Sequence, residues 1–77
     1  MIVLSQDKTK LGEYKQFSVD KNFGGKKDQK YCIIGVASQS DVLGYYATET
    51  QAQDEFNKIF QEWKNGTAVY EMKGEGE

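Results

Sequence analysis

Histidine, arginine and proline are absent from this 77-residue chain, and cysteine occurs once, at Cys32. Each gap removes a class of function. One cysteine forms no intramolecular disulfide, and one thiolate with carboxylates is not a ligand set that holds zinc stably. Without histidine, proton transfer near neutral pH has few available groups, so an enzyme is not expected. Lysine supplies every positive side chain; it is a point charge and lacks the planar fork with which arginine reads phosphates and guanine edges. The missing proline excludes a polyproline segment or a proline-stiffened linker. No run approaches the roughly 18–20 apolar residues that cross a membrane. Met1–Ser5 is too short for a signal-peptide core, and a small secreted domain would carry paired cysteines. The expectation is a cytoplasmic protein with no cofactor, no metal, no small-molecule ligand and no membrane partner.

The chain is long enough for one domain, taken as residues 1–72 with 73–77 as a disordered tail. At this size folding buries only about 60–65% of the unfolded surface, so the core is thin. With disulfide and metal removed, self-association is the one external staple left open. Charge is uneven. Residues 1–40 carry seven lysines against four acids, and residues 41–77 carry three against eight, which places the basic surface in the N-terminal half.

Periodicity predicts one helix beginning at Thr48. Thr48 and Gln51 have capping-box spacing, and Glu49 suits the positive end of the helix dipole. Ala52, Phe56, Ile59, Phe60 and Trp63 follow one 3.6-residue face, with Gln53, Asp54, Asn57, Lys58, Gln61 and Glu62 opposite. Asn65-Gly66 ends it. Strands are expected over Ile2–Leu4, Glu13–Val19, Lys30–Ala37, Val42–Ala47 and Thr67–Met72. The order β-β-β-β-α-β gives an α+β fold: a mostly antiparallel sheet of four to five strands with the helix on one face. If Phe60 is buried in that packing, Phe60→Ala costs about 3–5 kcal/mol.

The segments Met1-Ile2-Val3-Leu4-Ser5-Gln6-Asp7-Lys8 and Leu43-Gly44-Tyr45-Tyr46-Ala47-Thr48-Glu49, the latter leading into the helix, carry a resemblance. They resemble a family of small uncharacterised proteins from low-GC Gram-positive bacteria and their phages, whose members share the SQDK turn and an LG-x-Y-x-T-E segment before a helix. The likeness covers the first eight residues and roughly residues 43–60. It implies a cytoplasmic bacterial or prophage protein and brings no activity, cofactor or catalytic residue.

The candidate sites are modest. Gly24-Gly25-Lys26-Lys27 lacks the helix a phosphate loop requires and reads as an inter-strand connection. Cys32 sits mid-strand and reads as a buried, inert thiol. Asp54 and Glu55 read as solvated charge on the helix flank. The tyrosines are more informative, because a sheet with one helix leaves its second face bare. Tyr45 and Tyr46 are adjacent and must point to opposite faces, so one of them, with Tyr31 or Tyr14, is expected on that face. The function expected is a protein–protein interaction module acting through Tyr31, Tyr45 and Tyr46 or through a free strand edge, with an unidentified protein or a second copy as partner. The alternative is a weak nucleic-acid-binding accessory protein using Lys21, Lys26, Lys27 and Lys30.

Overall fold

The computed structural model describes residues 1–73. Its elements are β1 (Ile2–Leu4), β2 (Leu11–Glu13), β3 (Gln16–Lys21), β4 (Tyr31–Val36), β5 (Ser40–Tyr46), α1 (Glu49–Lys64) and β6 (Val69–Glu71). The class is α+β as expected, with one correction in architecture: six strands form two sheets of three, ordered β2-β1-β6 and β3-β4-β5.

The split follows from one bend. The stretch expected as a single strand over Glu13–Val19 pairs with β1 at one end, as β2, and with β4 at the other, as β3. Tyr14 lies at the break. Its ring is buried, and its hydroxyl donates to Asp41 Oδ2 at 2.7 Å, which turns the chain inward. In the first sheet β1 is central, antiparallel to β2 and parallel to β6. The second sheet is an antiparallel meander. Between β4 and β5 the register passes from Ile33↔Gly44 to Ile34↔Val42, and the skipped Leu43 is buried.

Local chemistry sets the helix ends. Thr48 Oγ1 accepts from the Gln51 amide at 3.2 Å, and Gln51 Oε1 accepts from the Thr48 amide at 3.2 Å, closing the capping box. At the other end the amides of Gly66 and Thr67 donate to the carbonyls of Trp63 and Glu62, with Gly66 at φ 76°. That is the Schellman arrangement, which glycine adopts without strain.

The inward face of the helix is rotated from the expected stripe: Ala52 and Ile59 are buried as expected, and Glu55 takes the place of Phe60 and Trp63. Its buried residues are Ala52, Glu55 and Ile59, while Phe60 is 56% and Trp63 44% exposed. Phe60 stands roughly 100° around the helix from the buried line, so it is not a core residue. Glu55, expected in solvent, is only 3% exposed. The reason is a polar seat in the core. Its Oε2 accepts from the Tyr70 hydroxyl at 2.6 Å and from the Lys73 amide at 2.9 Å. The Lys73 carbonyl in turn accepts from the Tyr46 hydroxyl at 2.9 Å. Lys73 is therefore tied to the domain, one residue beyond the expected boundary; the rest of the expected tail, residues 74–77, lies outside the described residues. Val3, Ile33, Leu43, Ala52, Ile59 and Met72 pack around this seat as the apolar core.

Candidate interaction surface

The residues that the helix leaves outside gather on one side. Phe17 of β3 meets Trp63 edge-on, with centroids 5.4 Å apart and ring planes at 83°. Phe17, Phe56, Ile59, Phe60 and Trp63 line a shallow groove of about 100 Å³. Phe17 and Phe56 are half-buried, and Lys64 Nζ lies 5.9 Å from the centre of the Phe60 ring. Past Trp63 a second depression of mixed polarity, lined by Met1, Ile2, Glu13 and Ala68 among others, leads toward the first strand. Four aromatic rings along one helix–strand seam form a contiguous apolar patch.

The tyrosines expected at the surface take three different positions. Tyr46 is corrected: it is 2% exposed and lies in the core, held by its bond to the Lys73 carbonyl. Tyr31 pairs with Tyr46 across β4 and β5 and packs half-buried against the same core. Only Tyr45 stands on the face the helix does not cover, where strand alternation also sets Ile34, Val36 and Val42. The three tyrosines therefore form no common surface. Cys32 shares that outer face but is buried between its cross-strand partners Asp20 and Tyr45. Burial, and secondarily the charge of Asp20, pushes its thiol pKa up, the direction of an unreactive cysteine.

The lysines divide. Lys21 and Lys30 line a cleft of about 360 Å³ with Asn22, Phe23, Gly24, Tyr31 and Ala47. Phe23 is 89% exposed at its rim. Lys26 and Lys27 are exposed on the loop and do not line it. The loop is closed by its own bonds. Asn22 Nδ2 donates to the Gln29 carbonyl at 2.7 Å, and Lys30 Nζ donates to the Gly25 carbonyl at 3.1 Å.

The first turn is a rigid neighbour of the second sheet. Asp7 Oδ1 accepts from the Thr9 amide, the Thr9 hydroxyl and the Ser5 hydroxyl, and these bonds hold its pKa down at about 2. Lys8 takes a φ of 66° in this turn and pairs with Glu71 at 2.9 Å. Gln6 then clasps β5: its amide donates to the Leu43 carbonyl at 2.7 Å. Its side chain donates to the Tyr45 carbonyl at 3.1 Å and accepts from the Tyr45 amide at 2.8 Å.

Among the described residues no group of three or more Cys, Asp or Glu side chains is placed to hold a metal ion, and no helix is long and apolar enough to cross a membrane. The sequence reading missed the aromatic seam because it assigned the whole helical stripe to the core. A signal was present: Ala52 and Ile59 bracket Glu55 on one line, which leaves Phe60 on the flank. No family model, curated protein or solved structure matches the chain.

Proposed function

We propose that this chain is a non-enzymatic protein-binding module, of bacterial or prophage origin as its resemblance implies, whose contact surface is the seam of Phe17, Phe56, Phe60 and Trp63. The observation that carries the reading is the exposure of Phe60 and Trp63 at 56% and 44% beside two further half-buried rings. Buried anchors at protein interfaces are enriched in such rings, and removing them from water on binding supplies the free energy that a small polar surface lacks. Because Phe60 contributes little to the core, it can be replaced without unfolding the domain.

The test is capture by the tagged chain from host lysate, with and without nuclease, using wild type and Phe60→Lys. A protein, including an untagged copy of the chain, recovered by wild type under both conditions and lost with Phe60→Lys supports the reading. Equal recovery by both forms refutes the seam as the surface. Recovery abolished by nuclease and by raised salt would move the function to nucleic acid and to the cleft that sets Lys21 and Lys30 beside Phe23 and Tyr31.

A further inference from the structure

Resting on that reading, we propose that the partner is a second copy of this chain, joined antiparallel through the outer edge of β3 about a two-fold axis at Val19. The sheet β3-β4-β5 has two edges, treated differently. At β5 the three hydrogen bonds from Gln6 occupy the Leu43 carbonyl and the Tyr45 amide and carbonyl. At β3 no other element bonds to the outer side among the described residues. The bond from the Asn22 amide to the Lys30 carbonyl continues the β3–β4 ladder and sets its parity. Even-numbered residues bond inward, so Phe17, Val19 and Lys21 present their amides and carbonyls outward.

Proteins blunt such edges with proline, bulges or central charge. β3 has none of these: the chain lacks proline, the β3–β4 register runs unbroken from Gln16 to Lys21, and the centre Phe17-Ser18-Val19 is uncharged. The edge is also self-complementary. With the axis at Val19, Val19 faces its own copy, Phe17 faces the partner's Lys21, and Ser18 faces the partner's Asp20. No like charges meet. Moving the axis to Ser18 sets Lys15 against the partner's Lys21 twice, and moving it to Phe17 leaves only Gln16–Ser18 paired before the bend at Tyr14. Charge and strand length thus select one register.

That register also involves the seam. A two-fold axis perpendicular to the sheet keeps both helices on the same side of a six-stranded sheet. Phe17, Phe56, Phe60 and Trp63 flank β3 on that side, so each seam is turned toward the other copy across strands about 4.8 Å apart, with Phe17 beside the partner's Lys21. Backbone pairing gives the register and the aromatic rings give the apolar burial.

Sedimentation velocity of the full chain across the micromolar range tests the association, and Val19→Cys tests the register. A hydrogen-bonded antiparallel pair sets the two Cα atoms about 5.5 Å apart, within reach of a disulfide. Native Cys32 is buried and does not compete. The expected result is a dimer at high concentration and a covalent dimer from Val19→Cys but not from Lys58→Cys on the far side of the helix. Lys21→Pro should weaken the dimer at least tenfold with an unchanged circular dichroism spectrum, because it removes only an outward amide. A chain monomeric throughout overturns the proposal. So does a dimer that survives Lys21→Pro and does not cross-link at position 19. A monomer that still captures another protein through Phe60 would overturn the second copy and leave the binding-module reading standing.

Discussion

Glu55 offers the sharpest test of how this domain is held together. Its carboxylate is 3% exposed, and one oxygen accepts both the Tyr70 hydroxyl and the Lys73 amide. A hydrogen bond to a charged group contributes about 1.5–3 kcal/mol, and a buried donor left without a partner costs about 1–3 kcal/mol. Glu55→Ala removes the acceptor of both donors and leaves a void, so the expected loss is about 3–5 kcal/mol. A chain of this length carries roughly 4–11 kcal/mol in total, so the variant should be barely folded. Glu55→Gln should cost about 1 kcal/mol, since its amide oxygen can take both bonds and only the charge is lost. Tyr70→Phe should cost about 1.5–3 kcal/mol. The double variant Glu55→Ala/Tyr70→Phe should be more stable than the sum of the singles by about 1–3 kcal/mol, because no hydroxyl is then stranded. Urea denaturation followed by far-ultraviolet circular dichroism measures all four. An Ala variant that loses less than about 1 kcal/mol, or strict additivity, would mean that Glu55 is solvated and the polar seat does not exist.

Three further outcomes follow from the packing. Phe60→Ala should shift the urea midpoint by the equivalent of at most about 1 kcal/mol, against about 3–5 for a buried ring; a larger loss would put Phe60 back in the core. Gly35→Ala should destabilise by about 1–3 kcal/mol in the same assay, because a Cβ there would lie 2.7 Å from Leu43 Cδ1 and 2.9 Å from the Tyr14 ring. Alkali should unfold the domain through its buried phenols. Burial, then the bond to Asp41 and its charge, pushes Tyr14 up to about 12, and burial followed by the bond to Glu55 raises Tyr70 further. Above about pH 10 the unfolded chain loses protons that the folded chain keeps. Stability should hold below that pH and then fall by about 1.4 kcal/mol per pH unit for each tyrosine. Tyr14→Phe should flatten its share of the slope, and midpoints independent of pH up to about 11.5 would contradict the assignment.

What was legible in the sequence is what local chemistry decides. Thr48, Gln51 and Gly66 mark the helix ends because caps are built from residues within a turn of one another. The remainder depended on distant partners. The break between β2 and β3 requires Asp41 for Tyr14, and the inward face of the helix requires Tyr70 and Lys73 for Glu55. The burial of Tyr46 escaped the sequence for the same reason. Tyr14, Tyr46 and Tyr70 are buried because each hydroxyl finds an acceptor inside. Once β6 and its tyrosine took the space beside the helix, the phenylalanines and Trp63 on its other flank became the surface. A stripe of apolar residues reports that a face exists, and only the positions of its polar partners decide where that face is aimed.

The parallel pairing of β1 with β6 also sets a schedule. Ile2 lies beside Val69, nearly the whole chain away. Synthesis adds about 5–20 residues per second, so β1 waits roughly 3–13 seconds for its second neighbour. Until β6 is made, one side of β1 has no partner and Glu55 has neither Tyr70 nor Lys73 to receive. A chain cut short before residue 69 would carry a bare β1 edge and a carboxylate without its two donors. β1 and α1 reach their final places only when β6 is there to join them.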